Sequence, residues 1–219
     1  MASPYALKSQ MVEIGQRLAR QGYIAGVDGN ISVRLDSDRI LITPSGLAKG
    51  RLTPDDLVVV DNHGKKLQGN LSPSSEMPMH LFVLERRSEV TACVHAHPPY
   101  ATAFAVSGKR LADNVLPEVV LTIGSIPLTD YAPPGTDAVP RSLEPYVDNH
   151  HAFLLRNHGV LTTGRSLEEA YNRLETVEHY AKILFLALQL GNVNHIPTED
   201  FKRLDDLRRK LEQLSGDRP

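Results

Sequence analysis

The segment 94–99, which reads VHAHPP, constrains the fold of this chain more than any other segment. It continues an apolar, partly β-branched run that is typical of a buried strand. The two prolines remove ladder donors, so the predicted strand, residues 90–97, ends at its histidines. Side chains at positions i and i+2 of a strand share a face about 6.6 Å apart, so His95 and His97 can converge on one ion. Taken alone, such a pair is as often structural as functional.

Hydrophobic spacing and turn residues predict interleaved helices and strands along the rest of the chain. Helices are expected over 5–21, 74–87, 101–106, 137–149, 166–190 and 199–214, and strands over 31–35, 39–43, 57–61, 90–97, 119–123, 152–156 and 160–163. This interleaving predicts an α/β fold: a single domain over residues 1–219, with α/β/α layers around a central mixed sheet.

Composition excludes several classes of function. The 219 residues are 41% hydrophobic and 23% charged, as in an ordinary globular protein, and the net charge of −2 favours neither nucleic acid nor a membrane surface as a partner. No apolar run approaches the ~20 residues that span a bilayer, and the first twenty residues lack the apolar core of a secretory signal. The single cysteine, Cys93, rules out an internal disulfide and predicts a cytoplasmic location.

Three further segments with polar residues lie where predicted elements end, and a fourth, 157–159, supplies another histidine. With His158, the sequence offers three imidazoles as candidate metal ligands. Glu76 lies at the start of a predicted helix. Catalytic zinc favours three ligands drawn from histidine and carboxylate, which predicts a metal site. The alternatives are that His158 only fills a turn and that Glu76 is an ordinary first-turn acid. His80 shares a helix face with Glu76 but is more simply interpreted as a packed histidine than as a ligand.

Several polar turn residues are placed to bind an anion. Helix N-termini and glycine turns expose backbone N–H groups, and each such turn by itself is only a cap or a β-turn. Together they predict a phosphate site without lysine or arginine, formed by Asn30, Ser45, Gly46, Ser74 and Ser75.

In this order, the five motifs GNIS, TPSG, SSExxxH, HxH and NHG resemble those of the class II aldolase/adducin family, and most closely its L-fuculose-1-phosphate aldolases. The resemblance implies a largely antiparallel sheet and a zinc enzyme that cleaves a ketose 1-phosphate to dihydroxyacetone phosphate and an aldehyde. It implies that His95, His97 and His158 hold Zn²⁺, that Glu76 is the resting fourth ligand and the acid/base, and that the five turn residues hold the phosphate. It also implies a homotetramer with active sites at subunit interfaces. Another divalent transition metal could replace zinc.

The chain departs from the aldolase pattern at two tyrosines. Where those enzymes carry a tyrosine near 118, this chain has Glu118, and the helix after Phe201 contains no tyrosine. Glu118 is therefore the predicted second acid/base and Tyr131 is another candidate; the alternative is that Glu118 is only a carboxylate at a strand edge. The substrate could be a 5-deoxypentulose or methylthio-pentulose 1-phosphate. A pentulose-phosphate 4-epimerase, a decarboxylase acting on a substrate without phosphate and a non-catalytic adducin-like module remain alternatives, although Glu76 in place of the aspartate typical of epimerases favours an aldolase.

Overall fold

The computed structural model describes residues 3–216, so the ends of the predicted domain, 1–2 and 217–219, lie outside the described residues. Its centre is one seven-stranded sheet. The strands β1 to β7 are Asn30–Arg34, Arg39–Ile42, Val58–Asp61, Lys66–Gln68, Ala92–Ala96, Ala152–Leu155 and Gly159–Gly164. They lie in the spatial order β4-β3-β2-β1-β5-β7-β6.

Every pairing between neighbouring strands is antiparallel. The largely antiparallel sheet is therefore confirmed, and its mixed character is limited to an isolated parallel bridge between Leu128 and Leu154.

Helices α1 to α7 cover both faces of the sheet. They are Pro4–Arg20, Met77–Arg86, Pro99–Ser107, Pro117–Thr122, Ala138–Leu143, Leu167–Leu190 and Thr198–Gly216. Successive side chains of a strand point to opposite faces, and here they enter two separate apolar cores. Val94 joins a core that includes Leu18 of α1 and Tyr171 of α6, whereas Cys93 joins one that includes Val83 of α2. This arrangement confirms the α/β/α layers.

Two predictions of local structure were wrong, and one strand was not predicted. Residues 119–123 are not a strand, because α4 begins at Pro117 with Leu116 in an extended N-cap conformation, which suits proline at the first helical position. The expected helix 137–149 is helical only over Ala138–Leu143, and turns follow it. The exposed edge strand β4 was missed because its three residues offer no buried face.

Among the helices within residues 3–216, none has both the length and the apolarity needed to cross a membrane.

Candidate metal centre

The ends of neighbouring strands bring three imidazoles together. His95 lies near the end of β5, and His97 follows the strand, where its backbone N–H donates to the carbonyl of Tyr23 at 2.9 Å. His158 lies in the turn between β6 and β7, and β7 is the antiparallel neighbour of β5. One ring nitrogen from each histidine lies within 4.8 Å of the others. A strand, its end and an adjacent hairpin turn therefore form the cluster.

Two special backbone positions allow this close approach. Asn157 has φ 56°, the left-handed conformation that asparagine tolerates better than most residues, and it turns the hairpin just before His158. A Cβ atom on Gly159 would lie 2.5 Å from Cδ2 of His97 and 2.6 Å from the carbonyl oxygen of Ala96. Glycine is required here because the β7 backbone runs directly against the His97 ring.

Two of the imidazoles are oriented by hydrogen bonds at Nδ1, the ring nitrogen that faces away from the cluster. His95 Nδ1 lies 2.9 Å from the carbonyl oxygen of Val160 and must donate to it, which leaves the Nε2 lone pair facing the cluster. His97 Nδ1 lies 3.4 Å from the Asp28 carboxylate, and its Nε2 lies 3.2 Å from His95 Nε2. Ligand nitrogens around a tetrahedral zinc ion are separated by about 3.3 Å, given Zn–N bonds of about 2.0–2.1 Å. The separation in this pair fits such an ion.

Glu76 faces the same point from the other side. It is the N-cap residue of α2 and its side chain is 13% exposed. Its Oε2 lies 3.3 Å from His95 Nε2 and its Oε1 lies 3.1 Å from His158 Nε2. Within residues 3–216, the buried Oε1 has no hydrogen-bond partner of good geometry. A divalent cation bound between Glu76 and the histidine nitrogens would give this buried oxygen the partner that it lacks.

The electrostatics of the cluster favour ligand-competent protonation states. Burial raises the pKa of Glu76, but the electrostatic influence of the adjacent His95 and His158 rings outweighs it and holds that pKa well below its usual range. Burial, together with His95 and His158, lowers the pKa of His97 to about 4. At neutral pH Glu76 is therefore an anion and His97 a neutral ring, the forms in which they bind metal.

A buried polar chain lies behind Glu76. Asn30 in β1 is paired with His95, and its amide nitrogen donates to Glu76 Oε2 at 2.8 Å. The Asn30 amide oxygen lies 2.5 Å from His80 Nε2, and His80 Nδ1 lies 2.7 Å from the Ser32 hydroxyl. His80 is fully buried, as a packed histidine should be. The two-residue spacing of Asn30 and Ser32 and the four-residue spacing of Glu76 and His80 were the signals that could have linked them.

The two loops predicted to bind phosphate lie side by side. Pro44 and Pro73 form an isolated bridge, and the Ser45 N–H donates to the carbonyl of Ser72 at 3.0 Å. The pairing brings the exposed residues of both loops together: Ser45, Gly46 and Ser75. Ser74 is buried, and its hydroxyl accepts from the Glu76 N–H at 3.2 Å, which joins this region to the histidine cluster.

A lysine that the sequence pattern did not indicate supports one of these loops. Lys49 is only 2% exposed, and its ammonium group donates to the carbonyls of Val27 and Leu47 at 2.7 and 2.8 Å. Burial lowers the pKa of Lys49, opposed by Asp28 and Glu76. A cationic residue thus anchors the turn that contains Ser45 and Gly46. Nothing in its local sequence distinguishes it from a surface lysine.

Comparison with known proteins places this geometry in a family. The family model for the class II aldolase and adducin N-terminal domain matches residues 9–185. The chain belongs to the class II aldolase and adducin family.

Relatives in this family have more than one activity. The chain is 35% identical over 205 residues to a 3-oxo-tetronate 4-phosphate decarboxylase of Haemophilus influenzae, covering 92% of this chain and 97% of that protein. It is 33% identical over 178 residues to an L-fuculose phosphate aldolase of Methanococcus maripaludis, covering 81% and 96%. A solved structure of an L-fuculose 1-phosphate aldolase superposes with a TM-score of 0.85 at 31% identity, covering 97% and 98% of the two chains.

The structure separates the two candidates for a second acid/base in this class II aldolase family member. Glu118 is exposed in the first turn of α4. Tyr131 is 59% exposed and precedes a loop whose Gly135 and Thr136 line a small cleft beside Glu76. Tyr131 therefore lies on a segment that adjoins Glu76. The role of either residue stays a prediction.

Proposed function

We propose that the protein is a metal-dependent lyase that breaks a carbon–carbon bond next to a carbonyl group in a small phosphorylated sugar or sugar acid. Dihydroxyacetone phosphate would be the product that keeps the phosphate. The observation that carries this proposal is the convergence of His95, His97, His158 and the buried Glu76 carboxylate. Their side chains come from three separate parts of the fold.

In this proposal the three histidines would hold Zn²⁺ through Nε2, with Glu76 at the fourth position at rest. Three histidines plus an exchangeable position are typical of catalytic zinc, although another divalent transition metal would fit the same donors. When bound, the cation supplies the positive charge that stabilises electrons left on a carbon beside a carbonyl.

The phosphate group would bind at the paired loops, held by Ser45, Gly46, Ser74 and Ser75. Exposed hydroxyls and a turn glycine suit a dianion, and the Lys49 ammonium adds positive charge near it. Asn30 was also predicted to bind phosphate. Its side-chain amide bonds Glu76 here, so we propose that its contribution is to join the carboxylate to the phosphate region.

Glu76 would carry the proton. It is close enough to the cluster to reach a carbon bound there, and it is shielded from bulk water. Retro-aldol cleavage of a ketose 1-phosphate requires a base to remove a hydroxyl proton; the bond electrons then pass to the neighbouring carbon, which Glu76 protonates. The phosphate-bearing product is dihydroxyacetone phosphate and the other is an aldehyde.

Decarboxylation is the second candidate reaction. Loss of CO₂ from a 3-oxo-tetronate 4-phosphate leaves electrons on the same type of carbon, and its protonation also gives dihydroxyacetone phosphate. This route needs no second base, so it does not depend on Glu118. The 35% identity to a decarboxylase of this kind also favours it.

Both reactions predict the same half-reaction, which provides the test. The zinc-loaded protein is incubated with dihydroxyacetone phosphate in D₂O, and proton NMR follows the hydroxymethyl group. We expect one of its two hydrogens to exchange. Absence of exchange in protein that contains stoichiometric zinc would refute the proposed function.

The two reactions are then separated by substrate. L-fuculose 1-phosphate, a methylthio-pentulose 1-phosphate and 3-oxo-tetronate 4-phosphate are each assayed for dihydroxyacetone phosphate by coupled oxidation of NADH, with CO₂ measured in parallel. CO₂ released in equal amount identifies decarboxylation, and an aldehyde identifies retro-aldol cleavage.

A homotetramer in the cytoplasm remains part of the proposal. The C-terminal half of α6 supports subunit contacts, since Phe185, Leu186 and Leu188 are all at least 41% exposed rather than buried in the core.

A further inference from the structure

The buried chain behind Glu76 has only one consistent direction of hydrogen bonding. An ionised carboxylate only accepts hydrogen bonds, so the Asn30 group 2.8 Å from Glu76 Oε2 must be the amide nitrogen. The Asn30 oxygen therefore faces His80 Nε2, which must carry a hydrogen in order to donate to it. A neutral His80 then has a lone pair on Nδ1, and the Ser32 hydroxyl must donate to that nitrogen.

Burial makes this direction costly to reverse. Ser32 and His80 are fully buried and Asn30 is 2% exposed, so water cannot supply a substitute partner. Flipping the Asn30 amide would place its oxygen against the carboxylate and leave two like-charged atoms facing each other. Burial lowers the pKa of His80 to about 3, which keeps the ring neutral, as the chain requires.

We propose that Ser32, His80 and Asn30 are positioning residues that hold Glu76 Oε2 in place and leave Oε1 as the only oxygen that exchanges the substrate proton. Oε2 accepts from the Asn30 N–H and lies 3.3 Å from His95 Nε2, whereas the buried Oε1 has no hydrogen-bond partner of good geometry among the described residues and lies 3.1 Å from His158 Nε2. Oε1, ionised at rest, first takes up a proton from water; the Oε1–H bond then breaks as the carbon–hydrogen bond of the product forms, and Glu76 returns to its ionised state. The proton step rests on the proposed function; the direction of the chain does not.

The first test determines the direction of the hydrogen bonds in this chain without measuring activity. Protein labelled with ¹⁵N-histidine is examined by long-range ¹H–¹⁵N NMR, with and without Zn²⁺. We expect His80 to be the tautomer with hydrogen on Nε2, opposite to His95, whose Nδ1 donates to Val160. His80→Gln identifies its signal by removing it. A His80 signal with hydrogen on Nδ1 would overturn the proposal.

The second test compares His80→Leu with His80→Gln, in which the side-chain amide can still donate to Asn30. Loss of a partner that orients a metal-site group typically costs 10- to 100-fold. We expect His80→Leu to slow hydrogen exchange in dihydroxyacetone phosphate by about 10- to 100-fold, with the zinc content and the Kd for dihydroxyacetone phosphate unchanged. We expect the exchange rate of His80→Gln to lie within about threefold of the wild-type rate.

These outcomes distinguish positioning from a general structural role. Equal loss of zinc and of thermal stability in both variants would refute positioning. If His80→Leu does not fold, Ser32→Ala replaces it. In that variant the Asn30 oxygen still requires the hydrogen on His80 Nε2, so we expect the same tautomer with zinc bound, and a hydrogen on Nδ1 would count against the chain. A wild-type protein with the expected tautomer but no exchange activity would refute the proposed function and leave the direction of the chain supported.

Discussion

Glu76→Gln separates metal binding from proton transfer. In this variant the new amide oxygen would accept from Asn30, because that neighbour presents an N–H group. The NH₂ group would then face His158, where it can neither bind a cation nor carry a transferable proton. Three imidazoles remain, so we expect zinc to stay bound, with weaker affinity. His95→Ala, by contrast, should lose zinc and activity together.

The magnitude follows from how enclosed the carboxylate is. A positioned acid/base contributes about 10²- to 10⁴-fold to a rate, which is about 2.7–5.4 kcal/mol at about 1.36 kcal/mol per tenfold. The Glu76 side chain is only 13% exposed, so water has little access to replace it. We therefore expect a loss in the upper part of this range, about 10³- to 10⁴-fold.

The assay is deuterium exchange into dihydroxyacetone phosphate, with zinc measured by mass spectrometry on the same samples. Glu85→Gln is the matched control because Glu85 is an exposed acid on the same helix, and it should behave as wild type. A fully zinc-loaded Glu76→Gln protein that exchanges within tenfold of the wild-type rate would show that Glu76 does not carry the proton.

Three other predictions address the metal centre and stability. Gly159→Ala should release zinc, because the added Cβ would lie 2.5 Å from a carbon of the His97 ring; stoichiometric zinc by mass spectrometry would contradict this. Removing zinc with a chelator should lower the free energy of unfolding by about 2.7 kcal/mol relative to protein with free zinc at 100 times Kd, measured by calorimetry; identical curves would argue against a metal site. A hydrogen bond with His151, aided by Arg208 and opposed by burial, lowers the pKa of Glu212 to about 2. Because the folded pKa lies below the unfolded value of about 4.3, this carboxylate stabilises the protein above that pH and ceases to do so as pH falls towards 2. Glu212→Gln should therefore cost about 1–2 kcal/mol at pH 7, allowing for screening, and almost nothing near pH 2; urea titrations showing a constant difference would refute this.

Much of the candidate site was predictable because its residues lie at element ends with local signals. The pair His95 and His97 follows from strand alternation and the prolines after it. Glu76 is located by the serines that precede its helix, although Glu76 itself and not a serine is the N-cap, and His158 is located by its turn. The predicted α/β/α architecture was confirmed because apolar periodicity reports which face of each element is buried.

Other features depend on contacts between distant segments. Lys49 looks like a surface residue in sequence, yet it is buried against the carbonyls of Val27 and Leu47. Residues 119–123 are rich in residues that favour strands, but Pro117 begins a helix there and buries Val119 and Val120. In residues 119–123 the proline and the packing of the helix override strand propensity, which is a weak preference of ~1 kcal/mol or less per residue.

The order of residues along the chain was enough to indicate which side chains can bind a metal, because periodicity and turn chemistry act over a few neighbours. Only the folded sheet decided how those side chains are oriented. Pairing of β1 with β5 sets Asn30 beside His95, and the packing of α2 brings His80 into the chain that holds Glu76. Such directions arise from hydrogen bonds between residues about fifty positions apart, and these form only when burial excludes water as a competing partner.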